Sequence, residues 1–472
     1  MRTTVSRLSL VSPCSRSGRV DLLFKKILIA NRGEIALRVI RTCRELGIRT
    51  VAVFSQADRN ALHVRFADEA VCVGPPAASR SYLHKPNVLA AAEITGADAV
   101  HPGYGFLAEN AEFASAVRRA GLEFIGPSVD HLRMFGDKLL AKAAARAAGL
   151  PLLEGSEGAV DSVEEAVAAA ERAGFPIILK AAGGGGGKGM RVVEDIDALV
   201  RQFELCRSEA LASFGTGRVF VERFVAKPRH VEVQVAGDGQ GGGIWLGTRD
   251  CTMQRRHQKL IEEAPAPNLP DKLHHDILEA AARLVRDVGY QTVGTVEFLV
   301  EGDQFFFLEV NPRIQVEHPV TEMVTAVDLV KLQIAVAAGE KMNVRSGLSP
   351  RGHAIECRIN AEDPRTFAPS PGRLTTFHLP GGPGVRVDTH GYEDYVIPPH
   401  YDSLVGKLIV QGRDRAEAIS RMARALDFFV VEGIKTSIPL HQEILRDPLF
   451  REGRLSTRFM EGFAERRARG AE

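Results

Sequence analysis

Two glutamates, Glu297 and Glu309, stand in two apolar runs of strand composition, Thr295–Val300 and Phe305–Val310, separated by the turn region Glu301-Gly302-Asp303. That pattern predicts a β-hairpin. A loop with an odd number of residues, such as Gly302-Asp303-Gln304, sets the two carboxylates directly opposite on one face, whereas a two-residue loop puts them on opposite faces. Facing carboxylates repel, and burying them unpaired is costly, so the arrangement needs a cation between them. Oxygen-only ligands, with Asn311 as the third, point to Mg²⁺ or Mn²⁺ carried on the phosphates of a nucleotide. The alternative is an ordinary hairpin with both carboxylates in water.

Beyond the hairpin, Arg313, Gln315, Glu317 and His318 follow at close spacing, and Pro312 and Pro319 stiffen the segment. A guanidinium that can fork onto a small oxyanion, an amide and a candidate base thereby leave a strand end together. The competing reading is a solvated polar loop.

The elements that must position these groups fill a chain of 472 residues, more than one hydrophobic core usually supports, so about two to four domains are expected. A formal charge of +1 gives no electrostatic footprint for nucleic acid. No apolar run approaches the roughly 20 residues of a spanning helix, so a soluble globular chain with no membrane partner is predicted. The six cysteines (Cys14, Cys43, Cys72, Cys206, Cys251, Cys357) include no C-x-x-C pair, which argues against a disulfide framework or structural zinc and fits a reducing compartment.

Residues 1–20 carry Arg2, Arg7, Arg16 and Arg19 and no acid. They read either as an organellar transit peptide or as sequence upstream of a true start near Val20 or a disordered tail; the second reading is preferred, with a cytoplasmic, bacterial setting. From Lys25 the order is strand, loop (Asn31-Arg32-Gly33), helix (Glu34–Leu46) and strand, a βαβ opening of a parallel sheet without the dinucleotide fingerprint. HPGYGFLAEN then places Gly103 and Gly105 in a tight turn at a strand's carboxyl end. Lys138 begins an Ala-rich helix that stops at Gly149-Leu150-Pro151. On its own, it reads as a surface lysine.

In FPIILKAAGGGGGKGMRVV, Lys180 ends a strand, five glycines follow and Met190–Val193 is a second strand. P-loop spacing fails: Ala182 stands five before Gly187, and Gly189 follows Lys188 where Ser or Thr is required. Strand, glycine loop and strand describe a flap whose backbone N–H groups can close over phosphates. Glu222, within the apolar run Val219–Val225, and His230 on the strand HVEVQVAGD are placed to read an adenine edge and a ribose, or are core and edge residues. The cluster Arg255, Arg256, His257 and Lys259 suits an anionic substrate or a solvated turn.

In order, Lys138, Lys180, Gly183–Gly187, Glu222, Glu297, Glu309 and Asn311 resemble the set used by ATP-grasp enzymes. The stretches IANRGEIALRVIR, HPGYGFLAEN, KAAGGGGGKGMRVV, RDCTMQRRHQK, EVNPRIQVEHPVTE and GHAIECRINAEDP resemble biotin carboxylase from about Phe24 to about Phe463. Pro312 stands where some family members have Thr; others have Pro. The resemblance implies an α/β and α+β multidomain fold. It comprises an extension (1–21), a Rossmann-like pre-ATP-grasp domain (22–136), an ATP-grasp domain (137–347, lid about 153–225), a C-terminal biotin carboxylase domain (348–463) and a tail (464–472).

The resemblance also implies the roles. Lys138, Lys180, Gly185, Gly186, Gly187, Glu222, His230, Gln254 and His257, with Glu297 and Glu309, would hold ATP. Glu297, Glu309 and Asn311 would hold Mg²⁺ or Mn²⁺. Lys259, Arg313, Gln315 and the Val316 backbone would seat bicarbonate. Glu317 would deprotonate it for attack on the γ-phosphoryl group, giving carboxyphosphate, and Arg358 would bind biotin and stabilise its enolate. Arg365 and Phe367 resemble the family's dimer contact, so a homodimer is expected. With no Ala-Met-Lys-Met sequence in the chain, biotin is expected on a separate carrier protein and the carboxyltransferase on other subunits. An acetyl-CoA carboxylase is the expected context, with propionyl-, methylcrotonyl-, pyruvate- and urea-directed systems as alternatives. Other classes weighed against this one are another ATP-grasp ligase and a non-catalytic nucleotide-binding subunit.

Overall fold

The computed structural model describes residues 24–182 and 189–469; the glycine positions 183–187, including Gly185, Gly186 and Gly187, lie outside them. The first layer is a five-stranded parallel sheet of β1 (Lys26–Ile29), β2 (Arg49–Ser55), β3 (Glu69–Gly74), β4 (Ala99–His101) and β5 (Glu123–Phe124), in the order β3-β2-β1-β4-β5. Strand order reverses between β1 and β4, which opens a crevice at their carboxyl ends. There the two loops singled out in the sequence meet: Asn31 Nδ2 donates to the carbonyls of Pro102 and Tyr104, each at 2.7 Å. Gly103 has φ +63°, and a Cβ there would stand 3.0 Å from both Asn31 and Ile35, so only glycine lets the loops close.

A small antiparallel sheet follows, β6 (Ile177–Ala181), β7 (Met190–Val193) and β8 (Val219–Arg223), in the order β7-β6-β8. β8 ends at Arg223, two residues short of the apolar run that predicts it. The helices Val163–Ala173 and Ile196–Phe214 bury Ala166, Ala170, Leu199 and Phe203 against Leu179 and Val221, the alternate residues of neighbouring strands.

The largest element is an eight-stranded antiparallel sheet. Its order is β13 (Gln304–Asn311), β12 (Gln291–Glu301), β9 (Arg229–Asp238), β10 (Gly243–Arg255), β11 (Gln258–Ala264), β14 (His353–Asn360), then the strands Leu404–Gly412 and Val385–Thr389. β9 shows why one face is chemical and the other structural. Val231, Val233 and Val235 join an apolar core with Ile277, Ala281 and Leu284 of the helix Asp271–Asp287, so His230, Glu232 and Gln234 alternate onto the opposite face.

The hairpin loop has two residues, Gly302-Asp303, because Glu301 pairs with Gln304. A regular two-residue hairpin would separate the carboxylates, yet Glu297 and Glu309 are directly paired. A β-bulge resolves this: Phe298 pairs with Phe307 and Glu297 with Glu309, leaving Leu308 as the extra residue that restores the facing register. Among the described residues no helix is long and apolar enough to cross a membrane.

Candidate active site

Strand pairing lays four ionisable side chains in one row across the sheet: Glu309 opposite Glu297, Glu297 opposite Glu232, and Glu232 opposite Arg249. Glu297 and Glu309 of that row line a cavity of about 1600 Å³, with Glu232 and Arg249 buried beside them. Lys138, Lys180, His230, Gln254, His257, Lys259, Glu297, Glu309, Asn311, Arg313, Gln315, Val316, Glu317 and Arg358 all line that cavity.

Lys259 is the hub. Its ammonium lies 2.7 Å from Glu232, 3.0 Å from Glu297 and 2.6 Å from Glu317. Glu297 Oε1 also accepts from Asn311 Nδ2 (2.9 Å) and Gln315 Nε2 (2.8 Å), and its Oε2 is 3.0 Å from His230 Nε2. Burial alone would raise the Glu297 carboxyl, but Lys259 and His230 outweigh it and hold the group well below the usual range. Glu309 is the opposite case: burial and then Glu297 push its carboxyl up, with Lys138 opposing. Its carboxylate makes no hydrogen bond or ion pair among the described residues. Two facing carboxylates, one of them uncommitted, fit a divalent cation that arrives on nucleotide phosphates. Asn311, expected as a third ligand, instead accepts from Arg313 Nη2 at 2.9 Å through its oxygen.

Glu317 caps the helix His318–Thr325 and is buried between Lys259 and Arg358, the latter at 2.9 Å. Burial would raise its carboxyl; Lys259, Arg358 and Arg249 overcome that and hold it well below its ordinary value, so it is ionised at neutral pH. The Arg313 guanidinium is aimed by Glu109 of the HPGYGFLAEN turn, whose carboxylate accepts from Nε at 2.5 Å. The Val316 carbonyl accepts from fully buried Lys407 at 2.8 Å, and Lys407 lies 3.1 Å from Glu34, itself hydrogen-bonded by Tyr104. The N-terminal loops thus brace the segment that carries Glu317.

On the nucleotide side Lys138 begins the helix Lys138–Ala147, capped by Asp137. Glu222, expected at an adenine edge, does not line the cavity: its carboxylate takes Lys142 at 2.6 Å and also pairs with Lys180. Burial, outweighed by Lys180 and then Lys142, leaves that carboxyl at about 2. Arg256 and His257 form the tip of the β10–β11 hairpin with positive φ. Arg255 lies over the Phe367 ring at 3.7 Å, so Phe367, expected at a dimer contact, packs within the chain.

Sequence reading missed Lys142, Glu232, Arg249, Glu262 and Lys407. For Glu232 the signal was present, since the alternation in HVEVQ puts it on the face of His230. For the others the decisive partners lie on elements far away in sequence.

Family models match almost the whole chain: "Biotin carboxylase, N-terminal domain" over residues 23–132, "Carbamoyl-phosphate synthase L chain, ATP binding domain" over 137–345, and "Biotin carboxylase C-terminal domain" over 356–462. A biotin carboxylase of Pseudomonas aeruginosa is 54% identical over 441 residues, 93% of this chain and 98% of that protein. The biotin carboxylase of Campylobacter jejuni, solved as a β,γ-ATP complex, superposes with a TM-score of 0.91 at 46% identity, covering 93% of this chain and 98% of that one. The biotin carboxylase domain dimer of Hydrogenobacter thermophilus 2-oxoglutarate carboxylase, solved with MgADP, ADP and bicarbonate, gives 0.89 at 45% identity over 93% and 97%. On identity, coverage and architecture together, the chain belongs to the biotin carboxylase family.

Proposed function

We propose that this chain catalyses the ATP-dependent carboxylation of biotin by bicarbonate, with biotin presented on a separate carrier protein, as the first half-reaction of an acetyl-CoA carboxylase that feeds malonyl-CoA to fatty acid synthesis. The observation that carries this reading is Glu317, an ionised carboxylate buried between Lys259 and Arg358 in the cavity where Glu297 and Glu309 face one another.

ATP enters as its Mg²⁺ salt. Lys138, Lys180 and His230 contact the nucleotide, and Glu297 and Glu309 would hold the Mg²⁺, which would neutralise phosphate charge. Arg313, Gln315 and Lys259 hold bicarbonate, and Glu317 removes its proton so that its oxygen attacks the γ-phosphoryl group and displaces ADP. The carboxyphosphate formed must be kept from water, which would hydrolyse it. Carboxyphosphate breaks into CO₂ and phosphate, the phosphate takes the N1′ proton of biotin, and Arg358 stabilises the negative charge on the ureido oxygen while N1′ bonds to the CO₂ carbon. The dimeric relative from Hydrogenobacter supports a homodimer, and the carboxyltransferase subunits complete the assembly in the cytoplasm.

The test is bicarbonate-dependent phosphate release from ATP with and without free biotin. Stimulation by biotin is the expected result. Turnover that requires an amine or amino acid, or ATP binding with no turnover, would overturn the reading.

A further inference from the structure

Behind Arg358 lies a pair of acids that the mechanism above does not use. Glu262 on β11 and Glu356 on β14 are directly opposite in antiparallel register, so their side chains leave the sheet on the same face about 5 Å apart at Cβ. Both are fully buried. Glu262 Oε1 takes Arg358 through Nε and Nη2, each at 2.6 Å. Its Oε2 has no hydrogen-bond partner, and neither oxygen of Glu356 has one.

Every cation near the pair is already committed. Arg358 divides its guanidinium between Glu262 and Glu317, and Lys259 serves Glu232, Glu297 and Glu317. Lys407 serves Glu34 and the Val316 carbonyl. Buried His318 directs its Nδ1 edge to the Gln315 carbonyl and its Nε2 edge toward Glu322 at 3.8 Å. Two buried carboxylates with one guanidinium between them carry one negative charge too many, and three oxygens lack a donor. A single proton between the two carboxyls removes the excess charge and joins two of those three oxygens in one hydrogen bond.

We propose that Glu262 and Glu356 share one proton and act as a positioning pair for Arg358, presenting a single negative charge that aims its guanidinium into the cavity beside Glu317. Titration leans the same way. Burial, only partly offset by Arg358, raises the Glu262 carboxyl to about 7, and burial, offset in part by Lys407, raises Glu356 well above the usual range. The consequence for turnover rests on the biotin carboxylation reading; the shared proton does not.

Infrared spectroscopy of the full chain at neutral pH tests the proton directly. Wild type should show, in its difference spectrum against the double variant E262Q/E356Q, the C=O stretch of a buried protonated carboxyl; contributions of Glu309 and Glu34, also raised by burial, are common to both and cancel. Both E356Q and E262Q should lack it, because a lone remaining acid beside Arg358 ionises. Absence of the band from wild type, or its survival in E262Q, overturns the proposal. Circular dichroism checks that each variant folds, and the wild-type band decides the matter if one does not. Kinetically, E262Q should lower kcat for biotin-dependent phosphate release about 10- to 100-fold, the worth of hydrogen bonds to a charged group, with the KM for ATP unchanged. E356Q, fixed in the singly charged state of the pair, should move the alkaline limb of the pH profile upward, whereas an unmoved limb counts against the pair. A wild type without biotin-stimulated turnover would remove the functional reading and leave the infrared result standing.

Discussion

Arg249 gives the most demanding test of how the site is built. Its side chain is completely buried, and all five of its N–H donors are used: Nε on Glu232 (2.5 Å), Nη1 on Gln234 (2.6 Å) and Thr321 (2.9 Å), Nη2 on Thr295 (3.0 Å) and Gln315 (2.8 Å). Arg249→Met removes one member of a buried ion pair and strands the Glu232 oxygen it neutralised, a change that costs about 3–5 kcal/mol. Arg249→Lys keeps the charge but has three donors in place of five, so two bonds to neutral acceptors are lost at about 1 kcal/mol each. Urea denaturation followed by circular dichroism should therefore rank wild type above Lys above Met. The double variant with Glu232→Gln should lose less than the sum of the single losses, because the stranded charge is gone. Gln315, released from Nη2, should also raise the KM for bicarbonate about tenfold, while the KM for ATP stays put. A loss under about 1 kcal/mol in Arg249→Met, or strict additivity in the cycle, would refute the claim that this arginine braces the site from below.

Other expectations follow from the same geometry. Glu317→Gln should lower biotin carboxylation by about 10²–10⁴-fold with nucleotide binding nearly intact, the usual contribution of a positioned base; an unchanged rate takes Glu317 out of that role. Glu222 has a folded-state carboxyl drawn down to about 2, so its stabilisation is present above about pH 4.5 and is lost as pH falls from there. Glu222→Gln should flatten this acid limb by about 3 kcal/mol, measured as unfolding free energy against pH. Lys407→Met should destabilise the chain by about 3–5 kcal/mol through the uncompensated Glu34, and adding Glu34→Gln should recover part of the loss in the same denaturation assay.

The facing pair Glu297 and Glu309 was legible as a pair of strands with one carboxylate each, but the loop count alone pointed both ways. What decides the register is the bulge at Leu308, and nothing in the sequence marks it, since Phe305–Leu308 are all apolar and no glycine stands there. Glu232 was open to view through strand periodicity and was passed over for its neighbour His230. Arg249, Glu262 and Lys407 act through partners 66, 96 and 373 residues away, on Gln315, Arg358 and Glu34. A single sequence gives no signal for pairings at that distance, because they are set by which strands, helices and loops adjoin in the folded chain. The N-terminal parallel sheet was legible because its strands and helices alternate locally and chirality limits how such units close.

The hydrogen-bonded ladder between β11 and β14 crosses from the stretch matched by the ATP-binding model to that matched by the C-terminal model. Lys259 and Glu262 stand on one side of this seam and Arg358 on the other, stitched together by main-chain bonds. Lys259 and Arg358, proposed to serve bicarbonate and biotin, are therefore held on neighbouring strands of one ladder and cannot pivot apart during turnover. Severing the chain between residues 345 and 356 should not yield an autonomous ATP-binding fragment. It would strip β11 of its neighbour and leave a row of bare amides and carbonyls, a template for aggregation.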